Sequence, residues 1–247
     1  MKISTICPKC YNENINKEKS KHLVSYDIDY FDDRLVKLLC NESHDINIGI
    51  SNEKFQILFS SSIDTYLSGH TIESTSSAWA AFERFLEFMI RVFTFPHKVG
   101  MEDYYINFND VSGSSERQVG GFLFLYLISV NEPYVFNKRL NTIKDKRNSF
   151  IHKGIIPNRE DAFYFLKTLY NETLSILNKI SKHPELMKSM AQVVNERKPK
   201  SIGSTIYTRR VIPDIFYTID KRDSVSIFDQ SFEDVVAEHK ERKEQNI

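Results

Sequence analysis

The chain carries no net charge: its 33 Lys and Arg are matched by 33 Asp and Glu. A generic high-affinity nucleic-acid binder carries a basic excess, so any contact with a polyanion has to come from a local patch, from a dimer or with a partner's help. Cysteine is scarce. Three residues, an odd number, fit poorly with a disulfide framework and well with a Cys3His metal site in a reducing compartment. No stretch reaches the ~18 apolar residues of a membrane span; the strongest apolar run, Phe122 to Val130, is too short. The N-terminus has no apolar secretory core. Internal repeats and low-complexity tracts are missing, as is a helix-turn-helix pattern with a basic recognition face, which argues against a transcriptional regulator. These absences together predict a cytoplasmic protein with no membrane partner.

What is present is aromatic. Hydrophobic residues make up 41% of the 247, with 18 Phe and 12 Tyr, enough to build a core in one large domain or two smaller ones. Residues 1–70 read as a small β-rich, zinc-ribbon-like module. Lys21 to Tyr30 alternates like a strand, and Ile46 to Phe59 reads as two more, broken at Gly49 and Ser51-Asn52. From Ser74 the period becomes helical. Ser74, Ser76 and Ser77 offer caps, and Trp79, Phe82, Leu86, Ile90 and Phe93 form one stripe ending at Pro96, with Ala80, Arg84, Glu87 and Arg91 on the wet side. Phe85 and Phe88 lie off both, so this helix is expected to be covered on two sides. An Asn107–Ser115 connection leads to a helix over 116–130. Pro133 opens a third that ends at Gly154, and Arg159–Ser181 forms a fourth. A short helix over 184–197, a strand-like stretch over 205–219 and a frayed charged end after Glu238 complete the reading. The expected fold class is α+β, mainly α: residues 1–70 the β module, 71–200 a helical bundle, and 201–247 a strand-like segment with a charged tail.

Cys7-Pro8-Lys9-Cys10 makes a turn that aims two thiolates at one point, and Cys40 with His44 completes a tetrahedral set. His22 competes for the fourth place. Four protein ligands leave no position for water, so a bound zinc ion is expected to be structural. Tyr11, Lys17, Lys19 and Lys21 would suit contact with RNA.

The second constellation is Arg147-Asn148-Ser149-Phe150-Ile151-His152-Lys153-Gly154. It pairs a permanent cation with a group that exchanges protons near neutral pH. On an ideal helix the two lie about 140° apart around the axis and about 7.5 Å along it. They converge only if the helix loosens near Gly154 or if two copies face each other. Asn148 shares a face with His152. Lys138, Arg139, Lys144, Lys146, Lys153 and Arg159 make the surroundings locally basic, with Lys144, Lys146 and Lys153 as candidate RNA contacts. Arg and His also favour helix C-termini for the dipole alone. Glu83, nearer the core than Glu87, is a candidate to orient Arg147.

Arg-Asn-x-x-Ile-His-x-Gly-x-x-Pro over 147–157, followed by Glu160-Asp161-Ala162 and an amphipathic helix, with two helices upstream, resembles the HEPN superfamily over roughly residues 74–182. The resemblance implies a four- or five-helix bundle and a metal-independent endoribonuclease of toxin or anti-phage defence type. Its composite site would form at a homodimer interface, with an antitoxin or phage-derived trigger as a further partner. By position, Arg147 and His152 become the catalytic pair and Asn148 the polar accessory, with single-stranded RNA as substrate. The alternative is a non-catalytic HEPN-like module that binds RNA or a nucleotide.

Overall fold

The computed structural model describes residues 2–7, 9–10, 23–27, 34–199, 206–209, 215–219 and 224–244. Within these the protein is mainly helical, with seven short strands and eight α-helices. They are β1 Lys2–Ile6, β2 Leu23–Asp27, β3 Leu35–Leu39, β4 Asp45–Ile50, α1 Lys54–Leu67, α2 Thr71–Thr94, α3 Met101–Ser112 and α4 Ser115–Val130. Then come α5 Lys138–Lys153, α6 Arg159–Ile180, α7 Pro184–Glu196, β5 Ile206–Arg209, β6 Tyr217–Ile219, β7 Val225–Ile227 and α8 Phe232–Glu244.

The chain divides into two compact units, one drawn from Met1–Asn52 and Arg197–Pro213, the other from Glu53–Glu196 and Asp214–Asn246. In the first, β1 and β2 pair antiparallel, and β3 and β4 form an antiparallel hairpin to which β5 adds in parallel. The expected boundary at residue 70 therefore falls at residue 52, and the segment after residue 200 is shared between the units instead of standing apart.

In the second unit α2 is the central rod, contacted by α1, α4, α5, α6 and α7. Its expected stripe is buried, and so are Phe85 and Phe88, so it is covered on most sides. One wet-side assignment fails: Arg91 is 1% exposed. Its guanidinium donates to both carboxylate oxygens of Glu196 and to the Val99 carbonyl, and lies over the Phe95 and Tyr104 rings. α2 also begins a turn earlier than its serines suggested, at Thr71, and Ser74 is buried against the Ser62 carbonyl instead of capping.

Three further expectations are corrected. Residues 54–67 are helix, not strand. Phe55, Ile57 and Phe59 alternate, but Phe55, Phe59, Ile63 and Tyr66 are also at helical spacing, and all are buried. The Glu53 N–H donating to Gln56 Oε1 at 2.9 Å caps that helix. The supposed 107–115 connection is helical through Ser112, because Tyr104 and Phe108, one turn apart, stack and bury on one face. The charged end is helical to Glu244, pinned by buried Phe232, Val235 and His239, with His239 Nδ1 at 3.0 Å from Asp64 Oδ1.

Candidate functional site

In the first unit the metal-ligand set predicted from sequence comes together. Cys7 follows β1, Cys40 ends β3 and His44 precedes β4. The Cys40–His44 turn is tied by the Ser43 N–H to the Cys40 carbonyl at 2.8 Å and by the His44 N–H to Cys40 Sγ at 3.4 Å, with Ser43 in the left-handed region at φ 60°. One ligand atom from each of Cys7, Cys10, Cys40 and His44 lies within 4.8 Å of all the others. An ion bound tetrahedrally at about 2.3 Å from sulfur and 2.0–2.1 Å from nitrogen requires S–S edges of about 3.8 Å and S–N edges of about 3.6 Å. Cys10 and Cys40 Sγ are 3.7 Å apart, and His44 Nδ1 lies 3.7 Å from Cys7 Sγ and 3.3 Å from Cys10 Sγ. All three cysteines are free, and that sulfur separation far exceeds a disulfide bond. The donors and their spacing thus fit a metal ion.

The thiols are electrostatically unequal. Burial, reinforced by hydrogen bonds from Cys7 and Cys40, pushes the Cys10 thiol up to about 12. Burial also opposes ionisation of Cys40. The backbone N–H groups of His44 and Glu42, with help from the other two cysteines, outweigh it and lower that thiol below its ordinary range. Three sulfurs packed this closely resist ionising together unless a cation joins them. His22 and the Tyr11, Lys17, Lys19 and Lys21 assignments lie outside the described residues.

The Arg/His constellation sits on α5 of the second unit. Asn137 caps the helix by accepting from the Arg139 N–H at 3.0 Å, and Gly154 at φ 65° ends it in the left-handed conformation glycine favours. The helix starts at Lys138 and not at Pro133, because Tyr134 is buried with its hydroxyl donating to Glu172 at 2.7 Å.

Arg147 is half-buried. Its Nη1 donates to Asn148 Oδ1 at 3.0 Å, its guanidinium carbon lies 5.8 Å from the Trp79 ring centre, and its Nε is buried without a partner. No carboxylate among the described residues pairs with it. Glu83 does not orient it directly. Its Oε1 accepts from Trp79 Nε1 at 2.7 Å and from the Ser115 hydroxyl, so it reaches the arginine only through the indole. Trp79 was read as core alone; its second role, a cation platform, needed α5 placed against α2.

His152 is exposed near the C-terminal end of α5 and makes no hydrogen bond to Arg147. The ideal-helix separation holds within one copy, without loosening near Gly154. Lys153 is exposed beside it. The other two candidate RNA contacts are engaged. Lys144 Nζ is 2.8 Å from Glu116, and Lys146 Nζ is 2.5 Å from Asp161. The hydrogen bond from Lys144, with the Glu116 backbone N–H and Ser114, holds the Glu116 carboxyl down at about 2. Comparison with protein-family models, with curated proteins and with solved structures found no match to this chain.

Proposed function

We propose that the protein is a metal-independent endoribonuclease of HEPN type, acting as a homodimer in toxin or anti-phage defence, with a structural zinc ion held by Cys7, Cys10, Cys40 and His44. One observation carries this reading: Arg147 keeps a half-buried guanidinium that no described carboxylate neutralises, backed by Trp79 and Asn148. A fixed, uncompensated cation in a semi-enclosed setting calls for an anion, and a phosphate diester supplies one.

The chemistry follows from the two side chains. His152 takes the proton from a ribose 2′-OH as that oxygen attacks phosphorus, or gives a proton to the departing 5′-oxygen. Arg147 neutralises the charge that builds on the phosphorane-like transition state. The P–O5′ bond breaks and a 2′,3′-cyclic phosphate remains. Single-stranded RNA suits this, because the 2′-oxygen must swing in line with the leaving group. Histidine from one copy and arginine from the other would bridge the gap that one helix leaves open.

The binding-only alternative draws support from the same separation, and from Glu116 and Asp161 occupying Lys144 and Lys146. Incubating the purified protein with total RNA in EDTA and mapping fragment ends decides between them. Metal-independent cuts ending in cyclic phosphate, lost in Arg147→Ala and His152→Ala, are expected. Binding without turnover, or cleavage unchanged in His152→Ala, rejects the catalytic reading.

A further inference from the structure

We infer that the outward face of α4 is a self-association surface on which a second copy of this chain docks antiparallel, with Phe124 of each copy seated over Gly120 of the other. The inference goes beyond the ribonuclease reading and stands whether or not Arg147 and His152 cleave RNA.

α4 turns Gln118, Phe122, Tyr126 and Val130 inward, and Gly121 lies close against Ile90 of α2. The opposite face is as apolar as the buried one, with Phe124 72% exposed, Ile128 66% and Leu127 42%, followed by Val135 at 76% just beyond the helix. A solvated helix face carries charge, and this one carries none from Gly120 to Val130. Glu116 and Arg117 stand only at its start, where Glu116 is bound by Lys144 and Arg117 by the Asp110 carbonyl.

The occupant follows from shape, area and charge. Gly120 sits in the middle of the outward face, and a Cβ built there meets nothing within 4 Å, so the helix carries a notch one turn from its largest exposed knob. Two identical helices crossing antiparallel about a two-fold axis near residue 122 bring each knob to the other's notch in a single arrangement. Such self-complementarity is what an isologous interface requires. Phe124, Leu127, Ile128 and Val135 together offer on the order of 400 Å² of apolar area per copy. A standard interface covers about 800 Å² per partner, about 65% of it apolar in homodimers, so one such face supplies most of that share. The chain's zero net charge sets no long-range repulsion against pairing.

Sedimentation of the full chain tests this. The wild type is expected at twice the 28.9 kDa chain mass at micromolar concentration. Phe124→Glu is expected to run as a monomer with an unchanged thermal midpoint, since the residue is exposed and its loss costs the fold nothing. Gly120→Phe fills the notch and is also expected to be monomeric. The double variant Gly120→Phe/Phe124→Ala exchanges knob and notch and is expected to recover the dimer. A monomeric wild type, a dimer that survives Phe124→Glu, or a double variant that stays monomeric overturns the proposal. Loss of RNA cleavage in Arg147→Ala has no bearing on these masses, so the two readings fail separately.

Discussion

If arginine and histidine act across two copies, two dead variants should revive each other. Arg147→Ala keeps its histidine and His152→Ala keeps its arginine. In a heterodimer of the two, one composite site lacks both groups and the other has both intact. The geometry demands such sharing: within one α5 the side chains do not meet, being about 140° and about 7.5 Å apart on the helix. Each homodimeric variant is expected to lose ~10²–10³-fold or more in rate, the usual loss when a charge-stabilising donor is removed. Random equal mixing makes half the dimers mixed, each with one working site of two, so activity should recover to about a quarter of wild type. Heterodimer isolated through two different tags should reach about half. The assay is cleavage of a fluorescent single-stranded RNA in EDTA, with heterodimer content checked by native mass. A verified heterodimer as silent as its parents would refute sharing between copies.

Three other outcomes follow from the geometry. Purified protein should contain about one zinc ion per chain, and Cys10→Ser should lose it, measured by elemental analysis beside a cobalt spectrum; full occupancy in that variant removes the site assignment. Glu196→Ala should cost ~2–4 kcal/mol in urea unfolding, because it strands the sealed Arg91 charge, with the Val99 carbonyl and two rings left to soften the loss. Arg91→Met should cost less, since Glu196 keeps 22% exposure and can hydrate; the reverse order would show that the guanidinium is not the group that suffers. Glu116→Gln should release Lys144, tightening RNA binding and steepening its logarithmic salt dependence by roughly 0.7. In the wild type the Lys144–Glu116 pairing is complete above the ordinary carboxyl range near 4.5 and is lost as pH falls through about 2, so it masks the lysine throughout the physiological range. Identical salt slopes for the two proteins would exclude Lys144 as an RNA contact.

The legibility of the sequence varied with the kind of signal. The four metal ligands were readable because short turns fix their local geometry and the three cysteines had no competing use. Helices α5 and α6 were readable from end signals: Gly154 caps one, and Asn158 accepts from the Asp161 N–H to open the other. Residues 54–59 were not, since alternating aromatics satisfy a strand and a helix alike, and tertiary burial of Phe55 and Phe59 against Phe216 decided it. Arg91 was placed in solvent because its partner stands 105 residues away on α7. Period analysis cannot see such a pair. The role of Trp79 was hidden likewise, since an indole at core spacing gives no sign that a guanidinium will settle on its face.

The parallel pairing of β4 with β5 sets an order of events during synthesis. Strand β4 ends at Ile50 and β5 begins at Ile206, so the whole helical unit must be made before the third strand exists. At ribosomal speeds of about 5–20 residues per second, the hairpin waits roughly ten to thirty seconds with one edge uncovered. A fragment cut after residue 70 would keep that raw edge permanently, and it would be prone to stick to its own kind.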